Sequence, residues 1–229
     1  MKIQAYRLFA YLGSMSVAAS VIAGFRYDAL APVSTLKFNL LLYAVFAAVH
    51  IVMTMPAFKG AVYGNAQGTP AERRIYVAIS IITWLAVYAL HQPTAGFQFH
   101  SPEWLRFVGL CGALVSLFAF FEYATFAHMD MLLGVPGAEL SHTVGAETPL
   151  MTEGSYAQVR HPMYRAMLFL CLSSLLIHPN SGQLLFTVLI AGTFVLFIPF
   201  EEYQLAKARG DAYRQYMKDV PYRVLKGIW

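Results

Sequence analysis

The sequence predicts an all-α integral membrane protein of about six transmembrane helices with a helical C-terminal tail. Three observations carry this reading. Of the 229 residues, 58% are hydrophobic and only 12% charged, where soluble domains carry roughly 25% charged. The apolar residues gather into six long runs, each near the about 20 residues a helix needs to cross hydrocarbon. The basic residues, finally, are sorted by side: with the N-terminus in the cytoplasm and six alternating spans, all of the 16 lysines and arginines except Arg26, Lys37 and Arg106 fall on the cytoplasmic side, as the positive-inside rule demands. The net charge of +4 is therefore expected to report membrane topology. The basic residues are scattered over several segments, so no nucleic-acid partner is expected.

The spans are expected at 8–25, 36–56, 75–92, 104–127, 162–178 and 183–200, in one membrane domain covering 1–229. The first follows Lys2 and Arg7 like a signal peptide, but its apolar stretch is long and no small-x-small cleavage site closes it, so a retained helix is expected. Cys111 and Cys171 both fall inside spans and form no spaced pair, so neither a disulfide framework, a redox motif nor a metal site is expected. The longest cytoplasmic loop, 128–161, is rich in Gly, Pro, Glu and Thr; loops of that size tend to be functional or mobile. In the tail, 201–229, Gly210 suits a helix C′ position and Asp211 could cap a second short helix ending before Pro221.

Ionisable groups at membrane depth are costly and mark functional interiors. His50 falls in the last third of the second span, Glu122 and His128 near the cytoplasmic end of the fourth, Arg160 and His161 at the start of the fifth, and Glu201 and Glu202 at the end of the sixth. The opposite leaflet carries the looser set His91, His100, Glu103 and His178. Each member has a bland reading: Arg160 and His161 before Pro162 suit an interface anchor, the paired glutamates suit a helix leaving the membrane, His50 suits a satisfied core histidine, and Tyr213, Tyr216 and Tyr222 suit interfacial aromatics. Glu122, set between "FAFF" and "YATF", needs a partner or a proton. Their shared depth favours a common site.

The motifs then carry a resemblance. "RHPMY" at 160–164, followed by "FEEYQLAKARGDAYRQYMKDVP" at 200–221, resembles the isoprenylcysteine carboxyl methyltransferase and phospholipid methyltransferase superfamily. Its pattern is R-H-P-x-Y-x-G, then E-E, then G-x-x-Y-x-x-Y-x-x-x-V-P, and Gly210, Tyr213, Tyr216, Val220 and Pro221 meet the last. "HIVMTMPAFKG", "ERRIYVAIS" and "AHMDMLLG" further resemble the branch of bacterial methanethiol S-methyltransferases and NnrU-type proteins, matched by His50, Met53, Pro56, Phe58 and Lys59, by Glu72, Arg73, Tyr76 and Ser80, and by His128 and Asp130. The departures are Ile51 for serine, Ala166 for glycine, Ala127 for asparagine, and Met129, Leu132 and Leu133 for Phe, Phe and Gly. The cofactor half of the pattern is thus better kept than the acceptor half.

The resemblance implies a methyltransferase of the bacterial inner membrane, with both termini and the site cytoplasmic, that uses S-adenosyl-L-methionine on a small or lipophilic acceptor from the bilayer side. It implies Arg160, His161, Tyr164, Glu201, Glu202 and Tyr213 at the cofactor. His161, His128 or Glu122 would take a thiol proton, and His50 and Asp130 would lie near the acceptor. Two other readings stay open. One is an NnrU-type haem protein with isomerase-like activity, in which His50 pairs with His128 or His161 on iron; the other is a non-enzymatic membrane assembly factor. No Gly-rich strand–turn–helix fingerprint occurs, which excludes a Rossmann-type methyltransferase.

Overall fold

The computed structural model describes residues 3–64, 69–123, 126–135 and 150–229. Among these the regular structure is helical: α1 (Ile3–Ala23), α2 (Val33–Thr54), α3 (Pro56–Tyr63), α4 (Pro70–Leu90), α5 (Glu103–Tyr123), α6 (Phe126–Leu133), α7 (Pro162–Ile177), α8 (Ser181–Arg209) and α9 (Asp211–Asp219). The all-α architecture is as the composition predicts. Five helices, α1, α2, α4, α5 and α8, are long and apolar enough to cross a membrane. Only 17–28% of each crossing window is buried within the protein, so the outer surface is oily and suits an integral membrane protein.

The fifth expected span, 162–178, is α7, which is apolar but only 16 residues long. At about 1.5 Å per residue it reaches roughly 24 Å, short of the about 30 Å of hydrocarbon. α8 departs in the other direction. Its 29 residues run about 43 Å, straight through Pro199, so Glu201 and Glu202 stand on a continuing helix where the sequence suggested the start of a tail. Two short helices were not foreseen. α3 arises because Met55, preceding Pro56, adopts an extended conformation that ends α2, while Pro56 opens the next helix where its missing N–H costs nothing. α6 occupies the start of the long loop; residues 136–149 of that loop lie outside the described residues.

Asp211 does not cap α9. Gly210, at φ +59°, turns the chain and sits at the N-cap position, and Asp211 is the first helical residue, pairing with Arg214 at 2.7 Å. The left-handed turn needs glycine, which is why the break falls there.

Helix ends are pinned by polar contacts at two levels. At one end the Tyr6 hydroxyl donates to the Leu133 carbonyl, and Arg73 Nε donates to the Leu132 carbonyl at 2.6 Å, docking α6 on α1 and α4. At the other, the buried Asn39 amide exchanges two 2.9 Å hydrogen bonds with Gln92 main-chain atoms. Between them lies an apolar core that includes Val21, Phe25, Tyr43, Trp84, Val87, Leu170 and Phe186.

α5 packs on α7 through glycine. A Cβ on Gly109 would stand 2.8 Å from the Ser173 carbonyl, and one on Gly112 would stand 2.5 Å from the Ser173 hydroxyl. Small residues allow such close approach between helices in lipid, where packing drives association. Gly109→Val is therefore expected to cost about 1–3 kcal/mol by overpacking. Thermal unfolding in detergent checks this. Gly192→Ala, where nothing lies within 4 Å of the added carbon, should leave the midpoint unchanged or slightly raised.

Candidate functional site

α7 starts at Pro162, and the two residues before it turn inward rather than outward. Their main-chain N–H groups donate to a neighbouring segment, Arg160 to the Tyr222 carbonyl at 2.9 Å and His161 to the Arg223 carbonyl at 2.8 Å. Both side chains are buried, at 8% and 7% exposure. They meet Glu202, itself 5% exposed, near the end of α8.

Glu202 is the hub. Its Oε1 accepts from Arg160 Nε at 2.6 Å and lies 3.2 Å from His161 Nε2. Its Oε2 accepts from Arg223 Nε at 2.8 Å. Arg160 also donates to the Val220 carbonyl at 2.7 Å. Bonds of this charge-assisted kind are among the strongest available to side chains. A carboxylate so engaged has little capacity left for a ligand.

Glu201 differs. Its side chain is 36% exposed and accepts from the Tyr164 hydroxyl at 2.9 Å, with His161 Nδ1 3.6 Å away. Beside it the rings of His161, Tyr164 and Phe194 form a stack, with centroids 5.5 Å and 4.6 Å apart and planes tilted by 14° and 26°. A half-exposed carboxylate next to flat aromatic faces can take an ammonium or ribose hydroxyls together with an adenine ring or a sulfonium. That donor set fits S-adenosylmethionine.

The expected residues are thus partly assembled. Arg160, His161, Tyr164, Glu201 and Glu202 come together. Tyr213 lies within electrostatic reach of Glu202; burial first, then the charge of that carboxylate, raises its phenol. At 2% exposure it packs with Tyr216 and Val220 against Leu205 and Ala206, so Tyr213 and Tyr216 are core residues of the α8–α9 joint and not interfacial aromatics. His50 sits 4.3 Å from the Phe46 ring and 5.6 Å from Tyr76, and Tyr76 with Arg73 lies within electrostatic reach of Glu201 and Tyr164. Asp130 is engaged elsewhere: Arg7 donates to it, and so does the Tyr11 hydroxyl at 3.1 Å. The side chains of Glu122 and His128 lie outside the described residues.

Several participants escaped the sequence reading. Arg223 lies two residues past the matched tail pattern and has no motif of its own. Phe194 reads as one more apolar residue of a span. Tyr76 was matched as a motif position without a role. Lys59 and Glu72, matched in separate motifs, form one 2.7 Å ion pair, which ties α3 to the start of α4.

The profile of the family described as "NnrU protein" matches residues 39–225. The chain is 27% identical over 194 residues to a methanethiol S-methyltransferase of Mycobacterium tuberculosis, covering 80% of this chain and 75% of that protein. It is 26% identical over 193 residues to methanethiol S-methyltransferase 2 of Bradyrhizobium diazoefficiens, covering 81% and 71%. A shorter match, 36% identical over 90 residues, joins 37% of this chain to 38% of the protein-S-isoprenylcysteine O-methyltransferase of Schizosaccharomyces pombe.

Two outcomes follow for stability. Glu202→Ala leaves two guanidinium groups without their buried counter-ion and should cost about 3–5 kcal/mol, whereas Glu201→Ala should shift the thermal midpoint little. Tyr216 supplies the second. Burial, then neighbouring Tyr156, pushes its phenol up to about 12, and its hydroxyl donates to the Tyr156 carbonyl at 2.8 Å. The folded value lies above the unfolded one, so this contribution is intact below about pH 10 and lost as pH climbs toward 12. An alkaline thermal-melt series should show that loss, and Tyr216→Phe should flatten it.

Proposed function

We propose, on the footing that the chain belongs to the NnrU protein family, that it is an S-adenosylmethionine-dependent methyltransferase of the membrane acting on a small or lipophilic acceptor, with a methanethiol-like thiol preferred. The observation that carries this reading is the division of labour between adjacent carboxylates: Glu202 saturated by Arg160, Arg223 and His161, and Glu201 half-exposed beside an aromatic stack. Relatives named as methyltransferases of methanethiol and of prenylated cysteine support the same class. A prenylcysteine or lipid acceptor belongs to the proposal as the alternative substrate.

When bound, S-adenosylmethionine would supply a sulfonium methyl, which the acceptor's lone pair would take in line as the methyl–sulfur bond breaks and S-adenosylhomocysteine leaves. The chain's own groups hold and orient. Glu201 takes the ammonium or the ribose hydroxyls, and Tyr164 fixes the rotamer of Glu201 by its 2.9 Å hydrogen bond. Arg160, with Nε and one terminal nitrogen engaged, offers its other terminal nitrogen to the cofactor carboxylate. The stacked rings of His161 and Tyr164 would offer a flat face to the adenine or the sulfonium. A thiol must also lose its proton, which the sequence assigns to His161, His128 or Glu122. His50, one ring away from this set through Tyr76, borders the acceptor. We place this end of the bundle on the cytoplasmic side of a bacterial inner membrane, from the distribution of basic residues.

One observation favours a second reading: Nδ1 of His50 is buried and makes no well-aligned hydrogen bond among the described residues, and a buried imidazole of that kind suits a haem ligand. The two readings separate on the purified protein, since a haem protein shows a Soret band and a methyltransferase is colourless.

The deciding experiment incubates the purified protein in detergent with methyl-labelled S-adenosylmethionine and a panel of thiols, lipids and prenylcysteine analogues. Label is expected in a thioether product. Calorimetry should show binding of S-adenosylhomocysteine, weakened about 10- to 100-fold in Glu201→Gln, the range that loss of one charge-assisted hydrogen bond implies. Absence of affinity for both cofactor forms overturns the proposal.

A further inference from the structure

At the other end of the bundle, three residues packed around one phenylalanine carry four buried polar atoms without a hydrogen-bond partner among the described residues: the Tyr43 hydroxyl, both ring nitrogens of His91, and Nε2 of Gln183. The three residues come from α2, the end of α4 and the start of α8, and each is at least nine-tenths buried: 5%, 6% and 0% exposed. They converge on Phe25. Its ring lies 6.4 Å from that of Tyr43 and 4.7 Å from that of His91, and its N–H donates to Gln183 Oε1 at 3.2 Å. The Tyr43 and His91 rings are themselves 6.0 Å apart.

The orientation of the Gln183 amide is settled by its neighbour. Phe25 N–H can only donate, so the atom it meets is the carbonyl oxygen, and the NH₂ group is the unpaired one. A buried donor or acceptor left without a partner forfeits its full hydration, and native proteins leave very few. Four such atoms on three residues that share one neighbour call for an occupant.

We propose that this cluster is a built hydration site, in which ordered water bridges Tyr43, His91 and Gln183 at the end of the bundle opposite Glu202. The chemistry of the set selects the ligand. The Gln183 amide must donate, the Tyr43 hydroxyl donates or accepts, and neutral His91 presents one donor and one acceptor. The occupant must therefore both donate and accept. The walls around it, Phe25, Phe186 and Trp84, are aromatic and disfavour an ion. Buried water with about three hydrogen bonds meets these terms and is a normal constituent of protein interiors.

A route for it is at hand. A cavity of about 560 Å³ opens on this end, lined by Phe25, Arg26, Asp28, Pro93 and Asn180 among others. Phe25 and Asn180 also touch the cluster, since the Asn180 side-chain oxygen accepts from the Gln183 N–H at 3.0 Å. The hydrated end stays apart from the candidate cofactor end. Gln183 and Glu202 are 19 residues apart on α8, roughly 28 Å.

Hydroxyl-radical footprinting of the full chain in detergent, with radicals generated from bound water by a synchrotron beam, tests the assignment. Tyr43 and Phe25 are expected to be labelled at least tenfold faster than Tyr6, a tyrosine of 2% exposure whose hydroxyl is satisfied by the Leu133 carbonyl. Labelling of Tyr43 and Phe25 at the Tyr6 rate overturns the proposal, and this measurement needs no variant. Gln183→Leu removes one of the water's partners and should slow labelling of both sites severalfold while leaving other residues unchanged. If the variant labels at the wild-type rate, the signal comes from bulk solvent and the built site is refuted.

Discussion

Everything at the Glu202 end of the bundle hangs on neutralising one buried carboxylate. Glu202 sits 5% exposed at a depth where an isolated charge would be expelled, and the surroundings answer with two guanidinium groups and an imidazole. These come from two places in the chain: Arg160 and His161 from the turn before α7, and Arg223 from the segment after α9. The ion cluster is thus the point where three otherwise separate pieces are tied. Removing water from such a set costs several kcal/mol per ion unless the geometry is good, so its positions tolerate little displacement. The adjacent Glu201, free of that duty, keeps the capacity to bind.

The same arrangement explains the unequal helices. α7 is too short to span hydrocarbon alone and is packed against α5, α1 and α8, so its start, with Arg160 and His161, is drawn toward the interior. α8 is long enough to overshoot and carries the glutamates to meet them. Glycines 109 and 112 let α5 close on α7 at the far half, which holds α7 in place without a side-chain wedge.

Much of this was legible in the residues, and the boundary is physical. Hydropathy reports an average over a window, so it located every long apolar helix and missed α3 and α6, eight residues each, whose existence depends on Pro56 and on docking against α1 and α4. The alternation of spans predicted Arg160, His161 and the glutamate pair at one level, and the structure joins them. Alternation could not divide roles between Glu201 and Glu202, because neighbouring residues on a helix face directions about 100° apart and only packing says which faces in. Asp130, expected near the acceptor from the resemblance, is claimed by Arg7 and Tyr11, an alliance across 119 to 123 residues that no local pattern reveals. Arg223 was invisible for the same reason.

The pairing of Arg160 and His161 with the backbone of Tyr222 and Arg223 makes the segment after α9 a latch. Until residues 220–224 dock beside the turn before Pro162, Glu202 lacks its second guanidinium and Arg160 lacks the Val220 carbonyl. The ion cluster is therefore complete only when that segment has closed on the bundle.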